Sequence, residues 1–317
     1  MTGRGAVLRA VVSAVALAMA GLSMAQASEA RPLDRRNLVL TFSDEFDTLN
    51  VADPRDRGTW TAGRWKTWYD NSSDPFNLHT RTLPGNGENQ AYTDAVWPER
   101  VGGFPAPGHT IRQGVLRLRA DRAPPSFRER IFGRAYTSAM ISTWGMFAQR
   151  YGVFEARMKL PKGQGLWPAF WMLNAEGGNP PEIDVMEFLG HQPHSTWVVT
   201  HSREKGRHVT RHREVPHAID ITKDFHVFAV DWRPTTLTYY IDDVQVMQIP
   251  TPRDLHSPMY MILNLAVGGR WPGQPDAQTV FPAYLEVDYV RAWRRPGHDA
   301  PRPAAPAKAR SAPKKAQ

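Results

Sequence analysis

"YGVFEARMKL", residues 151–160, alternates strictly. Phe154, Ala156, Met158 and Leu160 share one face of an extended chain, and Glu155, Arg157 and Lys159 share the other. Side chains two apart in a strand point the same way, so this stretch reads as a half-buried β-strand. The pattern recurs on both sides of it. "GVLRLRADR" (114–122) and "AYLEVDYVRAW" (283–293) alternate likewise, the second setting Leu285, Val287 and Tyr289 against Glu286 and Asp288. "TLTYYIDDVQVMQI" (236–249) reads as a hairpin with Asp242 and Asp243 at its turn. Gly- and Pro-rich spacers separate such runs, and no long segment keeps a period of 3.6. An all-β fold is predicted, an antiparallel β-sandwich of jelly-roll type, with no internal repeat and no inter-domain linker.

The two ends read differently. Arg4 and Arg9 precede an apolar run over 10–24, and "AQA" at 25–27 supplies a small-x-small cleavage site. That is the pattern of a secretory signal peptide, with an apolar stretch shorter than the ~20 residues of a membrane span. Residues 1–27 are expected to be removed and 28–37 to form a lead-in, leaving a periplasmic or secreted protein. The chain has no Cys, so disulfides are excluded even in that oxidising compartment. A single domain of ~270 residues buries enough surface without them. Residues 296–317 are Pro, Ala and basic residues with little to bury, and a disordered tail is expected.

These ends also carry most of the charge. The tail holds five Lys/Arg against one Asp and the leader two Arg, so only about +2 of the net +8 belongs to residues 28–295. A nucleic-acid-binding domain carries its basic charge on the folded face, which argues against that class. Neither nucleic acid nor a membrane is expected as a partner, and a monomer is expected.

The segment "PPEIDVMEFLG" (180–190) places Glu182, Asp184 and Glu187 among Ile183, Val185, Met186, Phe188 and Leu189. Carboxylates are costly to bury unless paired, hydrogen-bonded or used. Read as a strand, the segment points Glu182 and Asp184 to one face and Glu187 to the other. One extra residue, a β-bulge near Val185–Met186, brings Glu187 back to the face of the other two. Glycosidic hydrolysis needs a carboxylic acid to protonate the leaving oxygen and a carboxylate to attack the anomeric carbon. In retaining enzymes the two carboxyls lie ~5–5.5 Å apart. Four strand positions separate the backbones by ~13 Å, so the two Glu side chains must lean together over the Asp. That Asp can hydrogen-bond the nucleophile, and its charge opposes ionisation of the neighbouring acid. A carboxylate cluster holding a cation such as Ca²⁺ is the other use of this spacing, which leaves both open.

"EIDVME" resembles the active-site motif of glycoside hydrolase family 16: Glu, aliphatic, Asp, one or two apolar residues, Glu. "FSDEF" (42–46), "GENQAYT" (87–93), "YGVFEARMKLPKGQGLWPAFWML" (151–173) and "LNLAVGGRWPG" (263–273) are similar to family segments, in family order. The resemblance spans residues 38–295. It implies a jelly-roll with a concave-face cleft and retaining hydrolysis of internal β-glycosidic bonds. By the same likeness Glu182 is the nucleophile, Asp184 the assisting carboxylate and Glu187 the acid/base. Met186 is the extra residue of the bulged subgroup. Within it, "YTSAMISTWGMFAQRYGVFEAR" (136–157) and "GLWPAFWMLNAEGGNPPEIDVMEFLG" (165–190) are most like the rhizobial succinoglycan depolymerase-type endo-1,3-1,4-β-glycanases. "WVVTHSREKG" departs from the His-Tyr or His-Gly strand of many members, and His201 is taken to fill the His position. A transglycosylase or a non-catalytic glycan-binding protein on the same scaffold is the alternative, although all three carboxylates are present.

Pyranose faces are apolar, so aromatic plates are candidate sugar contacts. Trp65, Trp68 and Tyr69 lie in the polar "GRWKTWYD"; Trp167 and Trp171 share a strand face; Trp271 lies in the loop "GGRWPG". Trp232 and Trp293, in alternating strands, read as packing. Asn264, in the matching "LNLAVGG" segment, joins the substrate-binding candidates. His191 with His194, and His208 with His212, have spacings found in zinc sites, but on strand and loop they do not assemble four ligands. The basic stretch "REKGRHVTRHRE" reads either as a solvated loop or as a contact for an anionic polysaccharide through Arg207, Arg211 and Arg213. Catalysis needs no cofactor. A structural Ca²⁺ is implied by the resemblance, with Glu45 and Asp288 at the usual ligand positions.

Overall fold

The structure, a computed structural model, describes residues 32–52, 63–68, 81–95 and 107–297. The expected leader (1–27), nearly all of the tail and Tyr69 lie outside the described residues.

Among the described residues sixteen strands form two sheets, with short helical turns between them. In chain order they are β1 (Val39–Asp44), β2 (Gln90–Tyr92), β3 (His109–Arg112), β4 (Val115–Arg122), β5 (Tyr136–Ser138), β6 (Met140–Ser142), β7 (Gly152–Lys159) and β8 (Leu166–Asn174). They continue as β9 (Glu182–Glu187), β10 (Ser195–Glu204), β11 (Arg207–Pro216), β12 (His226–Trp232), β13 (Thr236–Ile241), β14 (Val244–Pro250), β15 (Met259–Val267) and β16 (Ala283–Arg294). The first sheet runs β11-β10-β9-β8-β15-β6, and the second runs β14-β13-β12-β7-β16-β4-β5-β2 with β1 on β16 and β3 on β4. Every pairing is antiparallel except β2 with β5. This is the all-β, jelly-roll-type sandwich that the alternation predicts. Among the described residues, no helix is long and apolar enough to cross a membrane.

The alternation shows where the core sits. Phe154, Ala156 and Met158 of β7 meet Phe170, Met172, Ile183, Val185 and Met186 of the facing sheet in one buried cluster. The outward face of β7 departs from the simple pattern, because Glu155 is 2% exposed. The lead-in covers it: Arg35 donates to Glu155 Oε2 at 2.6 Å, and Leu33 and Leu38 pack on Val153, Ala229 and Tyr240. A buried carboxylate is tolerated there because a guanidinium is brought to it. The exit from β9 is equally constrained. Gly190 exchanges backbone hydrogen bonds with Gly163 and Leu166, and a Cβ on it would lie 2.4 Å from the Gly163 carbonyl oxygen. Only glycine allows that approach.

Candidate active site

Strand β9 lies at the middle of its sheet, between β8 and β10. Its register carries the extra residue. Trp197 pairs with Glu187 and Val199 with Asp184, so two steps on β10 match three on β9. On the other side Phe170 pairs with Met186 and Trp171 with Asp184, leaving Val185 over. Ile183, Val185, Met186 and Phe188 therefore turn into the core. Glu182, Asp184 and Glu187 all face a cleft of about 1030 Å³ floored by β8, β9, β10 and β15. A bulge between Asp184 and Glu187 produces both results at once.

The three carboxyls occupy different surroundings. Asp184 is 3% exposed, and burial, then the charges of Glu182 and Glu187, push its carboxyl well above the usual range. In its protonated form it donates to Glu182. Glu182 also accepts from Asn179 Nδ2 at 2.6 Å. Burial and the Glu182 charge raise Glu187 to about 8, against a smaller opposing effect of the hydrogen bond from Trp167 Nε1 to Glu187 Oε1 (3.1 Å). The structure thus revises how the acid is kept protonated. The sequence assigns that role to the charge of Asp184, whereas burial raises the Asp184 carboxyl as well and the charge acting on Glu187 is that of Glu182.

Beside this group, His201 Nε2 stands 3.5 Å from Asp184 Oδ2. Burial pushes the imidazole below its ordinary value, and neighbouring His208 and His212 act in the same direction. Its Nδ1 meets His208 Nε2 at 2.9 Å and Thr210 Oγ1 at 3.0 Å.

Aromatic rings gather at the Glu187 end of the carboxyl row and beside Asp184. Trp167, Trp171 and Trp271 line the cleft, with Trp271 39% exposed. Trp197, which the sequence reading passed over, joins them. It sits opposite Glu187 on β10 and packs edge-on against Trp271 at 5.5 Å, as Trp167 does. The alternation in "STWVVTH" was a usable signal, since it places Trp197 on the face of His201. Asn264 also lines the cleft, accepting from Trp171 Nε1 at 2.8 Å and donating to Tyr92 Oη at 2.9 Å. Tyr92 in turn hydrogen-bonds Glu88.

Trp65 and Trp68 do not reach the cleft. The 63–68 segment bridges to β6 through Lys66 and Ser142, which turns Trp65 inward. Trp65 is fully buried beside Phe42 and Phe46, with Nε1 donating to Asp44 Oδ2 at 2.8 Å. Trp68, 3% exposed, packs on Tyr92 beneath the guanidinium of Arg81. The groups that satisfy them, Asp44 for Trp65 and Tyr92 and Arg81 for Trp68, come from elsewhere in the chain, and both are packing residues.

Nor do Arg207 and Arg211 contact the cleft. In the β10–β11 hairpin Arg207 pairs with Glu204, Arg211 with Thr200 and Arg213 with Val198, all on the face turned away from it. Arg211 forms an ion pair with Glu204 at 2.7 Å and donates to Ser202 Oγ. The intervening residues, His208, Thr210 and His212, line the cleft instead. Period-2 alternation divides the basic stretch into guanidinium and imidazole faces.

Among the described residues, one acidic/His group is close enough to hold a metal ion: Glu182, Asp184 and His201. The histidine pairs singled out by spacing do not form one. Glu45 and Asp288 are each taken by an arginine, Arg291 at 2.8 Å and Arg157 at 2.7 Å. That donor set does not fit Ca²⁺, which takes six to eight oxygens.

Known proteins resemble this chain in sequence and fold. The profile described as "Glycosyl hydrolases family 16" matches residues 106–291. The chain is 37% identical over 261 residues to the endo-1,3-1,4-beta-glycanase EglC of Rhizobium meliloti, covering 82% of this chain and 53% of that protein. It is 34% identical to a beta-glucanase of Rhodothermus marinus, covering 80% of this chain and 85% of that one. The crystal structure of an endo-beta-1,3-glucanase from Pyrococcus furiosus superposes with a TM-score of 0.63 at 33% identity, covering 84% of this chain and 97% of that one. The chain spans about half the length of the rhizobial relatives it matches.

Proposed function

The chain belongs to glycoside hydrolase family 16, and we propose that it is a retaining endo-β-glycanase cleaving internal β-1,3/1,4-glucosidic bonds of a polysaccharide. The observation that carries the reading is the bulge, which sets Glu182, Asp184 and Glu187 on one cleft face with Glu187 raised to about 8. At neutral pH Glu187 is the protonated acid for the leaving oxygen, and Glu182, held by Asn179 and Asp184, attacks the anomeric carbon. Once Glu182 is esterified its charge is gone. The second cause of Glu187's elevation disappears with it, so the carboxylate left after protonating the leaving oxygen stays ionised and serves as base for the incoming water. Trp167, Trp171, Trp197 and Trp271 supply apolar plates for the sugar rings.

The reaction asks for no cofactor. A structural Ca²⁺ at Glu45 and Asp288 rests on family likeness alone and draws no support from their arginine pairing. The polymer partner fits a monomeric protein that binds neither nucleic acid nor membrane. The leader-like residues 1–27 would send it to the periplasm or outside the cell, where such polymers are met. Transglycosylation is a second reading with its own support. Trp197 and Trp271 wall the cleft beside Glu187, where a sugar acceptor could compete with water for the glycosyl-enzyme.

Reducing-end release from mixed-linkage β-glucan, laminarin and an acidic exopolysaccharide, compared side by side and chromatographed for products longer than the substrate, tests this function. Release by the wild type and none by Glu182→Gln is expected. No release from any β-glucan overturns it.

A further inference from the structure

Glu182, Asp184 and His201 each present one ligand atom, all within 4.8 Å of one another. Closeness of acids is not in itself a metal site, but two further features point to a ligand. Asp184 is 3% exposed, and its Oδ2 is a buried oxygen with no N–H or hydroxyl donor; the proton this carboxyl shares with Glu182 is released when the ion binds. His201 Nε2 faces that oxygen at 3.5 Å, about the ~3.4 Å spacing of two ligands on a tetrahedral ion with ~2 Å bonds. The imidazole is also braced from behind. Its Nδ1 is held by His208 Nε2 at 2.9 Å and Thr210 Oγ1 at 3.0 Å, which fixes the ring and leaves Nε2 to the cluster. Glu182 is the half-buried member. It stands on the floor of the open cleft, so rotation of its side chain closes the remaining gap and the cleft gives an ion both entry and a water-filled fourth position.

From this geometry we infer that the cleft takes up one Zn²⁺ ion, bound by the Glu182 carboxylate, Asp184 Oδ2 and His201 Nε2, and that zinc and glycan exclude each other. One imidazole with two carboxylates and an open position is a zinc donor set. Calcium asks for six to eight oxygens and magnesium for an octahedron, which three convergent groups do not supply. Because the ion occupies the carboxylate placed as nucleophile, zinc acts as a reversible inhibitor competing with the polymer. The binding step does not depend on turnover, so it stands or falls separately from the glycanase assignment.

Isothermal titration of the full chain with ZnCl₂, and in parallel with CaCl₂ and MgCl₂, tests it. One equivalent of zinc is expected with no matching heat from calcium or magnesium. His201→Asn should remove that equivalent. His208→Ala, which touches the ring only from behind, should weaken it about tenfold, with thermal melts confirming that each variant is folded. If His201→Asn does not fold, His208→Ala alone decides, and unchanged affinity in it overturns the inference. An identical zinc isotherm in a folded His201→Asn, or calcium bound with the same stoichiometry, also overturns it.

Discussion

Glu187→Gln separates the chemistry of the acid from the stability its position costs. In the folded protein the carboxyl is pushed up to about 8, from 4.5 for an unperturbed glutamate. Between those two pH values the folded state holds a proton that the unfolded state has lost. Stability therefore falls as pH rises through the window and is unaffected below it. At about 1.4 kcal/mol per pH unit the full penalty at the alkaline end is at most about 5 kcal/mol. Glu187 is only half-buried, and solvent screening reduces this to about 2–3 kcal/mol. Glutamine has no proton to lose and still accepts from Trp167 Nε1, so it escapes the penalty. Scanning calorimetry should find variant and wild type melting together at pH 4, with the variant about 5–10 °C higher at pH 9. Over the same range the variant should lose about 10²–10⁴-fold in kcat on polysaccharide. A melting difference that does not change with pH would refute the reasoning, since the raised carboxyl would then not be Glu187.

Three further outcomes follow from the same geometry. Deleting Met186 removes the extra residue and turns Glu187 towards the core, so glucan hydrolysis should vanish while the far-ultraviolet β-signal remains; full activity would refute the parity argument. Trp167→Phe keeps the plate and removes the hydrogen bond that lowers Glu187, so the alkaline limb of kcat/KM should move to higher pH; an unmoved or downward-shifted limb would count against that contact. Trp65→Phe should cost about 1–3 kcal/mol through the lost Asp44 hydrogen bond and ring volume without altering KM, and a raised KM would return Trp65 to the cleft.

Some of this was readable from residue order and some was not, for physical reasons. Alternation in residues 151–160 fixes a strand, and side-chain parity in "EIDVME" requires the bulge, because both depend on local geometry alone. The burial of Trp65 depends on Asp44 and on bridging to β6, contacts far apart in the chain. Taking "REKGRHVTRHRE" as one basic stretch hides the alternation that puts Arg207 and Arg211 on one face and His208 and His212 on the other. Glu155 looked like a solvent-face residue because its arginine lies 120 positions away. The protonation of Asp184 depends on how much water reaches it, which spacing does not encode.

The central claim is that Glu182 attacks the sugar while Glu187 handles the proton. Incubation with an activated 2-deoxy-2-fluoro-β-glucoside oligomer, which forms its glycosyl-enzyme faster than it hydrolyses it, followed by proteolysis and mass spectrometry, tests that assignment directly. A single glycosylated peptide carrying the adduct on Glu182 is expected, with labelling abolished in Glu182→Gln. An adduct on Glu187 or Asp184, or glucan hydrolysis that releases the inverted anomer, would contradict it.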